Sequence, residues 1–156
     1  MKIAFLDRDG TLIDEPQDTG KIDTLNRLKI LPGVIDELQK LQKDGYKLVL
    51  VSNQDGIGTP GFLAESFHVP HEKFLSLLKD KGIVFFRIFI CPHLLSDNCF
   101  CRKPKTGLVE EFLKKNNIDK TNSFMCGDRE TDREFAQNIG IRFISTKTNC
   151  PLKIDR

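Results

Sequence analysis

The chain has 156 residues, with 24 Lys and Arg, 22 Asp and Glu, and a formal net charge of +2. This length makes one domain that can bury a core without disulfides, and the balanced charge argues against a dedicated binder of nucleic-acid backbones. No apolar run approaches the roughly 20 residues of a membrane span, and the N-terminal apolar run is too short for a signal peptide. We therefore expect a single cytoplasmic domain over residues 1–156, with no membrane partner.

Short apolar runs alternate with amphipathic stretches along the chain, a pattern typical of βαβ units. Strands are predicted at 3–7, 46–51, 84–90, 122–126 and 141–145. Helices are predicted from Pro32-Gly33 to Gly45, at 70–81, near 106–116 and near 131–139. Residues 10–31 hold no clear helix, and residues 55–62, rich in Gly and Pro, are predicted to form a loop. The pattern predicts a three-layer, Rossmann-like α/β domain with a mostly parallel, five-stranded central sheet.

Acidic residues directly follow two of the predicted strands. Asp7 and Asp9 come after the first strand, and Asp128 comes after the fourth. Open parallel sheets bind ligands at the carboxyl ends of their strands, so these three side chains are expected to converge there. Negative charges at such short separation recruit a cation. Mg²⁺ prefers one or two carboxylates together with substrate phosphate. Alternatively, Asp7 and Asp9 are ordinary acids at a strand end and a turn.

Three of the five cysteines lie with a histidine in an eleven-residue segment: Cys91, His93, Cys99 and Cys101. An odd number of cysteines in a chain without a secretion signal is a poor disulfide framework. Three thiolates and one imidazole form a closed tetrahedral set suited to structural Zn²⁺. We expect this zinc to fix a loop beside the phosphate site and to position Lys103. The alternative is that these cysteines are free or merely buried.

Four segments resemble, in order and spacing, the four motifs of the haloacid dehalogenase-like phosphatases. They are Asp7-x-Asp9-Gly10-Thr11, Ser52 after the run YKLVLV, Lys103 before Pro104, and Gly127-Asp128-x-x-x-Asp132. The resemblance runs from about Lys2 to Arg142. Because no large insertion separates the motifs, it implies an open site without a large cap domain, shaped by residues 10–31 and the zinc-stabilised loop.

This resemblance implies a role for each motif residue. Asp7 would be the nucleophile that forms an aspartyl-phosphate, and Asp9 the general acid and base. Mg²⁺ would be held by the side chains of Asp7 and Asp128 and by the main-chain carbonyl of Asp9. Ser52 and Lys103 would hold the oxygens of the transferring phosphoryl group. The last acid of the fourth motif, one helical turn further on, would lie behind the metal ligands.

The zinc loop narrows the resemblance to phosphatases of heptose bisphosphate and of histidinol phosphate. Four segments favour the second group: residues 52–59 (SNQDGIGT), Glu15-Pro16, Pro70-His71 and residues 91–94 (CPHL). The similarity is to the phosphatase domain of the bifunctional histidine-biosynthesis proteins. It implies hydrolysis of a small phosphate ester, L-histidinol phosphate, to L-histidinol and phosphate.

Substrate recognition is expected in the loop after the second strand. The candidate substrate-binding residues are Ser52, Asn53, Gln54 and Asp55, with Glu15 and Asp18 as further candidates for the amine and imidazole of the substrate. Each can equally be an ordinary loop residue. His68 and His71, near the predicted start of a helix, are expected to be surface or capping residues, and residues 143–156 receive no role.

Three other functions remain open. The first is a D-glycero-D-manno-heptose 1,7-bisphosphate phosphatase. The second is a nucleic-acid end phosphatase, which the near-neutral charge, single Tyr and absence of Trp argue against. The third is a catalytically inactive, zinc-stabilised interaction module, which the intact set of motif residues argues against. Nothing in the apolar pattern demands a dimer, so a monomer is expected.

Overall fold

The computed structural model describes residues 1–155, so Arg156, at the end of the predicted domain, lies outside the described residues. The strands are β1 (Ile3–Leu6), β2 (Lys47–Asn53), β3 (Arg87–Cys91), β4 (Phe124–Gly127) and β5 (Arg142–Ser145). The helices are α1 (Val34–Lys43), α2 (Ala64–Lys79), α3 (Glu110–Lys115) and α4 (Glu130–Ile139). The five strands form one sheet in the order β3-β2-β1-β4-β5, and every neighbouring pair is parallel.

Helices cover both faces of this sheet, and the core accordingly has two halves. Ala4 and Leu6 of β1 belong to the half that contains buried residues of α1 and α2. Ile3 and Phe5 belong to the half that contains buried residues of α3 and α4. Because both sides of β1 are buried, the strand is a continuous apolar run rather than an alternating one. The predicted three-layer α/β domain with a parallel sheet is confirmed.

Helix α2 differs most from its predicted bounds, because it begins at Ala64 rather than at residue 70. Pro70 therefore lies inside the helix, where it removes one backbone hydrogen bond. Phe67, Phe74 and Pro70 are all buried, and we attribute the earlier start to this tertiary packing. The expectation for His71 is wrong as a result: His71 is buried within the helix, whereas His68 is exposed as expected.

The C-terminal segment, which the sequence left without a role, is part of the core. Leu152 and Ile154 are buried against the α1 side of the sheet. Gly33, which precedes α1, has a φ of 81°, and a Cβ there would lie 2.5 Å from the backbone oxygen of Leu152. This position therefore needs glycine both for its backbone conformation and for the close approach of the tail.

Residues 10–31 form an irregular segment with one 3₁₀ turn, Leu25–Arg27. The described residues contain no large cap domain, as the motif spacing implied. No helix in the described chain is both long and apolar enough to cross a membrane.

Candidate active site

A cavity of about 460 Å³ opens where the carboxyl ends of β1, β2 and β4 meet. It is lined by these residues predicted to act in catalysis or substrate binding: Asp7, Asp9, Glu15, Ser52, Asn53, Gln54, Asp55 and Lys103. The other lining residues are Thr19, Gly20, Lys21, Phe62, Arg102, Arg129, Glu130, Thr131 and Asp132. Asp18 is not among them: it is an exposed residue whose Oδ1 lies 2.7 Å from Nη1 of Arg27, so the structure does not bring it to the cavity.

Three carboxylates cluster beyond β1 and β4; Asp7 and Asp132 line the cavity, whereas Asp128 is not among its described lining residues. One oxygen from each of Asp7, Asp128 and Asp132 lies within 4.8 Å of the others. Burial raises the pKa of Asp128, and the charge of Asp7 adds to this effect. Burial likewise raises the pKa of Asp132 to about 6, again with a contribution from Asp7. Both carboxyl groups are therefore harder to ionise than a free aspartate, first because they are buried and second because the charge of Asp7 lies nearby.

Lys103 is the cation that the protein supplies to this cluster. Its Nζ lies 2.7 Å from Oδ1 of Asp7, 2.6 Å from Oδ1 of Asp132 and 2.7 Å from the carbonyl oxygen of Val51. Burial alone would lower the pKa of Lys103, but the two carboxylates raise it above its usual value. An ammonium group has three donors, so every one of them is used.

The side chain of Asn53 fixes the backbone of Lys103. Its Nδ2 donates to the carbonyl oxygen of Lys103 at 3.1 Å, and its Oδ1 accepts from the backbone N–H of Lys103 at 2.9 Å. Asn53 was predicted to bind substrate, and it does line the cavity. Both of its polar ends are nonetheless engaged in holding the lysine in place.

The donor set around Asp128 suits Mg²⁺. Oδ1 of Asp128 accepts from Thr11 at 3.2 Å, and Oδ2 accepts from Thr148 at 2.6 Å. Gly10 has a φ of 79°, and a Cβ there would lie 2.7 Å from Oδ2 of Asp128. Three carboxylates facing one ammonium leave an excess of negative oxygen ligands, which are those that Mg²⁺ prefers. The residues present therefore fit this ion.

Asp9 and Ser52 are joined through one amide. Nε2 of Gln54 lies 2.8 Å from Oδ2 of Asp9 and 2.9 Å from Oγ of Ser52. Oδ1 of Asp9 accepts from Nε of Arg8 at 2.6 Å. Arg8 carries no signal in the sequence, because an arginine between two aspartates has the same pattern as a solvated surface charge.

Two ion pairs flank the mouth of the cavity: Glu15 pairs with Arg129, and Asp55 pairs with Arg102. Burial raises the pKa of Glu15 despite its arginine partner. The backbone N–H of Glu15 donates to Oδ1 of Asn149 at 2.7 Å, and Nδ2 of Asn149 donates to the carbonyl oxygen of Glu15 at 2.9 Å. The C-terminal segment thus holds the loop that carries Glu15. No local motif marks Asn149, and it too was missed.

The four predicted zinc ligands come together at the end of β3. Ligand atoms of Cys91, His93, Cys99 and Cys101 all lie within 4.8 Å of one another. Sγ of Cys91 lies 3.2 Å from Sγ of Cys101, which in turn lies 3.1 Å from Nδ1 of His93. A tetrahedral site with Zn–S distances of about 2.3 Å has edges of roughly 3.8 Å. Three thiols and one imidazole are a donor set that suits a structural zinc ion, and their separations of 3.1–3.6 Å would widen slightly around it.

The parallel sheet and the carboxylates beyond its strands are the features of haloacid dehalogenase-like phosphatases. The D,D-heptose 1,7-bisphosphate phosphatase from B. bronchiseptica, solved with magnesium and phosphate, superposes with a TM-score of 0.81 and 28% identity. That comparison covers 92% of this chain and 79% of the other. The family model described as Polynucleotide kinase 3 phosphatase matches residues 2–148, and the chain belongs to this family.

Curated relatives are identical to this chain at about half of the aligned positions. The Histidine biosynthesis bifunctional protein HisB of Campylobacter jejuni subsp. doylei is 54% identical over 141 residues, which are 90% of this chain and 40% of the relative. The protein of the same name from Legionella pneumophila (strain Lens) is 52% identical over 143 residues, or 92% of this chain and 40% of the relative. The chain thus spans about two fifths of the length of these relatives.

Proposed function

We propose that this chain is an Mg²⁺-dependent phosphatase that hydrolyses L-histidinol phosphate to L-histidinol and phosphate. The observation that supports the reaction type is the cluster of three carboxylates, Asp7, Asp128 and Asp132, with Lys103 bonded to Asp7. Asp9 lines the adjoining cavity. The substrate is supported by the identity of about 54% to proteins named for histidine biosynthesis. The enzyme is proposed to act as a monomer in the cytoplasm.

The proposed chemistry begins at Asp7. A carboxylate oxygen of Asp7 attacks phosphorus, the bond from phosphorus to the substrate oxygen breaks, and Asp9 gives its proton to that leaving oxygen. Water then attacks the aspartyl-phosphate, Asp9 takes the proton from this water, and Asp7 is released as a carboxylate together with phosphate. Asp9 can serve both steps because its side chain lines the cavity beside Asp7.

The remaining residues hold charge during the transfer. Asp7 and Asp128 through their carboxylates, and Asp9 through its carbonyl, would bind Mg²⁺, which when bound screens the repulsion between the nucleophile and the phosphate. Lys103 keeps the attacking carboxylate in place at 2.7 Å and puts positive charge where the phosphoryl oxygens accumulate negative charge. The hydroxyl of Ser52 would donate to one of those oxygens.

The test is phosphate release with Mg²⁺ from histidinol phosphate, heptose 1,7-bisphosphate and a 3′-phosphorylated oligonucleotide, measured side by side. We expect kcat/KM to be highest for histidinol phosphate. Asp7→Asn should abolish turnover, because an amide is not a nucleophile for phosphorus, whereas Asp36→Asn on the exposed face of α1 serves as the control with full activity. Turnover by Asp7→Asn would refute the aspartyl-phosphate mechanism, and inactivity of the wild type on all three would refute the phosphatase.

A second candidate is hydrolysis of heptose 1,7-bisphosphate. The solved phosphatase with that name shares the fold with a TM-score of 0.81, but at 28% identity rather than 54%. A preference for the heptose in the assay above would favour this candidate and leave the roles of Asp7 and Asp9 unchanged. A preference for the oligonucleotide would instead favour the substrate in the description of the family model.

A further inference from the structure

Arg8 lies between the two proposed catalytic aspartates in the sequence, and only 1% of its surface is exposed. Its Nε donates to Oδ1 of Asp9 at 2.6 Å, while Nη2 lies 3.3 Å from Oδ2 of Asp9 and 3.1 Å from Oε1 of Gln54. A buried guanidinium is costly unless its donors are satisfied. Arg8 is not among the described residues that line the cavity, so any effect on substrate must pass through Asp9 or Gln54.

His71 of α2 holds the far side of this guanidinium. Nδ1 of His71 lies 3.2 Å from Nη1 of Arg8, and because arginine can only donate, Nδ1 must accept. The imidazole is therefore neutral and carries its proton on Nε2. Burial lowers the pKa of His71 to about 4, with the charge of Arg8 as the next cause. A neutral, accepting histidine is thus maintained over the whole physiological pH range.

Phe67 fixes the plane of both groups. The rings of Phe67 and His71 stack with centroids 4.9 Å apart and an interplanar angle of 21°. The guanidinium carbon of Arg8 lies 4.8 Å from the centroid of the same ring. A stacked aromatic ring and a fixed acceptor leave the guanidinium little rotational freedom. Helix α2 therefore determines the direction in which Arg8 donates.

We propose that Arg8 and His71 are positioning residues for the proton transfer by Asp9. This inference rests on the proposed function, in which Asp9 protonates the leaving oxygen as the bond from phosphorus to that oxygen breaks. His71 orients Arg8, and Arg8 holds the carboxyl group of Asp9 at the reacting atoms. The alternative is that the hydrogen bond between His71 and Arg8 only joins α2 to the loop after β1 and has no effect specific to proton transfer.

The two alternatives differ in how the effect depends on the leaving group. A basic leaving oxygen needs a proton from Asp9, whereas 4-nitrophenolate leaves with little help. Phenyl phosphate and 4-nitrophenyl phosphate are similar in shape but differ in this need, and histidinol phosphate has the most basic leaving oxygen of the three. A defect in proton transfer therefore grows from 4-nitrophenyl phosphate through phenyl phosphate to histidinol phosphate. A general loss of folded enzyme instead lowers all three rates equally.

The test compares variants of two histidines on the same helix. His71→Phe keeps a flat ring beside Phe67 but removes the acceptor, and His71→Asn places an amide oxygen near the position of Nδ1. His68→Phe is the matched control, because His68 is exposed and also contacts the ring of Phe67, at 5.4 Å. kcat and KM are measured with Mg²⁺ for the three esters, and thermal unfolding is recorded for each variant.

We expect His71→Phe to lower kcat/KM about 10–100-fold for histidinol phosphate and phenyl phosphate, which is part of the 10²–10⁴-fold contribution of general acids. The loss for 4-nitrophenyl phosphate should stay below about threefold, and His71→Asn should recover most of the activity on the other two esters. His68→Phe should match the wild type. Equal losses on all three esters, or a change in KM alone, would overturn the inference.

Arg8→Lys provides a second variant if His71→Phe does not fold. A lysine ammonium keeps the charge but cannot reproduce the planar fork that spans Asp9 and Gln54, so the same dependence on the leaving group is expected. Uniform losses would again overturn the inference. A wild type that hydrolyses none of the esters would instead refute the proposed function, and the inference would fall with it.

Discussion

Replacing Lys103 by methionine should destabilise the fold strongly, because the ammonium group of Lys103 bonds to two buried carboxylates. Its side chain is 3% exposed, and the side chains of Asp7 and Asp132 are 8% and 1% exposed. Methionine has a similar length but no charge, so the variant leaves the two facing carboxylates without their shared cation. Removing one member of a buried ion pair typically costs about 3–5 kcal/mol.

This cost can be converted into a shift of the melting temperature. For a domain of about 150 residues, each kcal/mol corresponds to a shift of about 2–4 °C. Lys103→Met should therefore lower Tm by roughly 6–20 °C in buffer without added Mg²⁺. Lys115→Met is the control: Lys115 also pairs with a carboxylate, that of Glu111, but the two side chains are 71% and 79% exposed. An exposed pair of this kind contributes less than about 0.5 kcal/mol.

A double variant separates charge from packing. Lys103→Met combined with Asp132→Asn removes one of the two carboxylate charges. The asparagine keeps an oxygen that can accept from the backbone N–H of Arg129, which lies 3.1 Å from Oδ2 of Asp132 in the wild type. We expect it to be more stable than Lys103→Met alone, and addition of Mg²⁺ should raise the Tm of the single variant more than that of the wild type. The reasoning is refuted if Lys103→Met destabilises the protein no more than Lys115→Met does.

Two further predictions concern His71 and the zinc loop. Because the pKa of His71 is lowered to about 4 from an unfolded value near 6.5, the unfolded state gains a proton first as the pH falls. Wild-type stability should therefore drop, relative to His71→Phe, by up to about 3 kcal/mol between pH 6.5 and 4 in denaturant titrations; parallel curves would contradict this. Cys99→Ser should lose bound zinc, measured by elemental analysis, and should have a lower Tm than the wild type. Cys150→Ser, which lies outside the cluster, should change neither quantity. Retention of zinc by Cys99→Ser would argue against the four-ligand site.

The sequence was sufficient where the signal is local. The apolar run before Asp7 predicted a buried strand, and acids after strands predicted that Asp7, Asp9 and Asp128 would converge. Asp7 and Asp128 do meet, but the third carboxylate of the cluster is Asp132. The carboxylate of Asp9 instead bonds to Arg8 and Gln54. The spacing of three cysteines and His93 likewise predicted a cluster that the structure brings together. In each case a short segment both forms the element and carries the chemistry, so no knowledge of distant contacts was needed.

The sequence was insufficient where a side chain gains its role from remote partners. Arg8 contacts His71, which is 63 positions away, and only this contact and burial distinguish it from a surface arginine. Asn149 bonds to the backbone of Glu15 across 134 positions. The predicted start of α2 was wrong for a related reason. Proline disfavours the interior of a helix, but the packing of the buried residues Phe67 and Phe74 on either side of Pro70 outweighs this preference.

The loop that carries the four proposed zinc ligands contacts two segments that line the cavity. The backbone N–H of Gln54 donates to the carbonyl oxygen of Cys91 at 2.7 Å, so a residue of the proposed zinc site holds the start of the loop after β2. Lys103 follows the last ligand, Cys101, by two residues and is held from the other side by Asn53. We propose that a zinc ion bound at this place would affect turnover without an open coordination position, because it would fix residues that line the cavity.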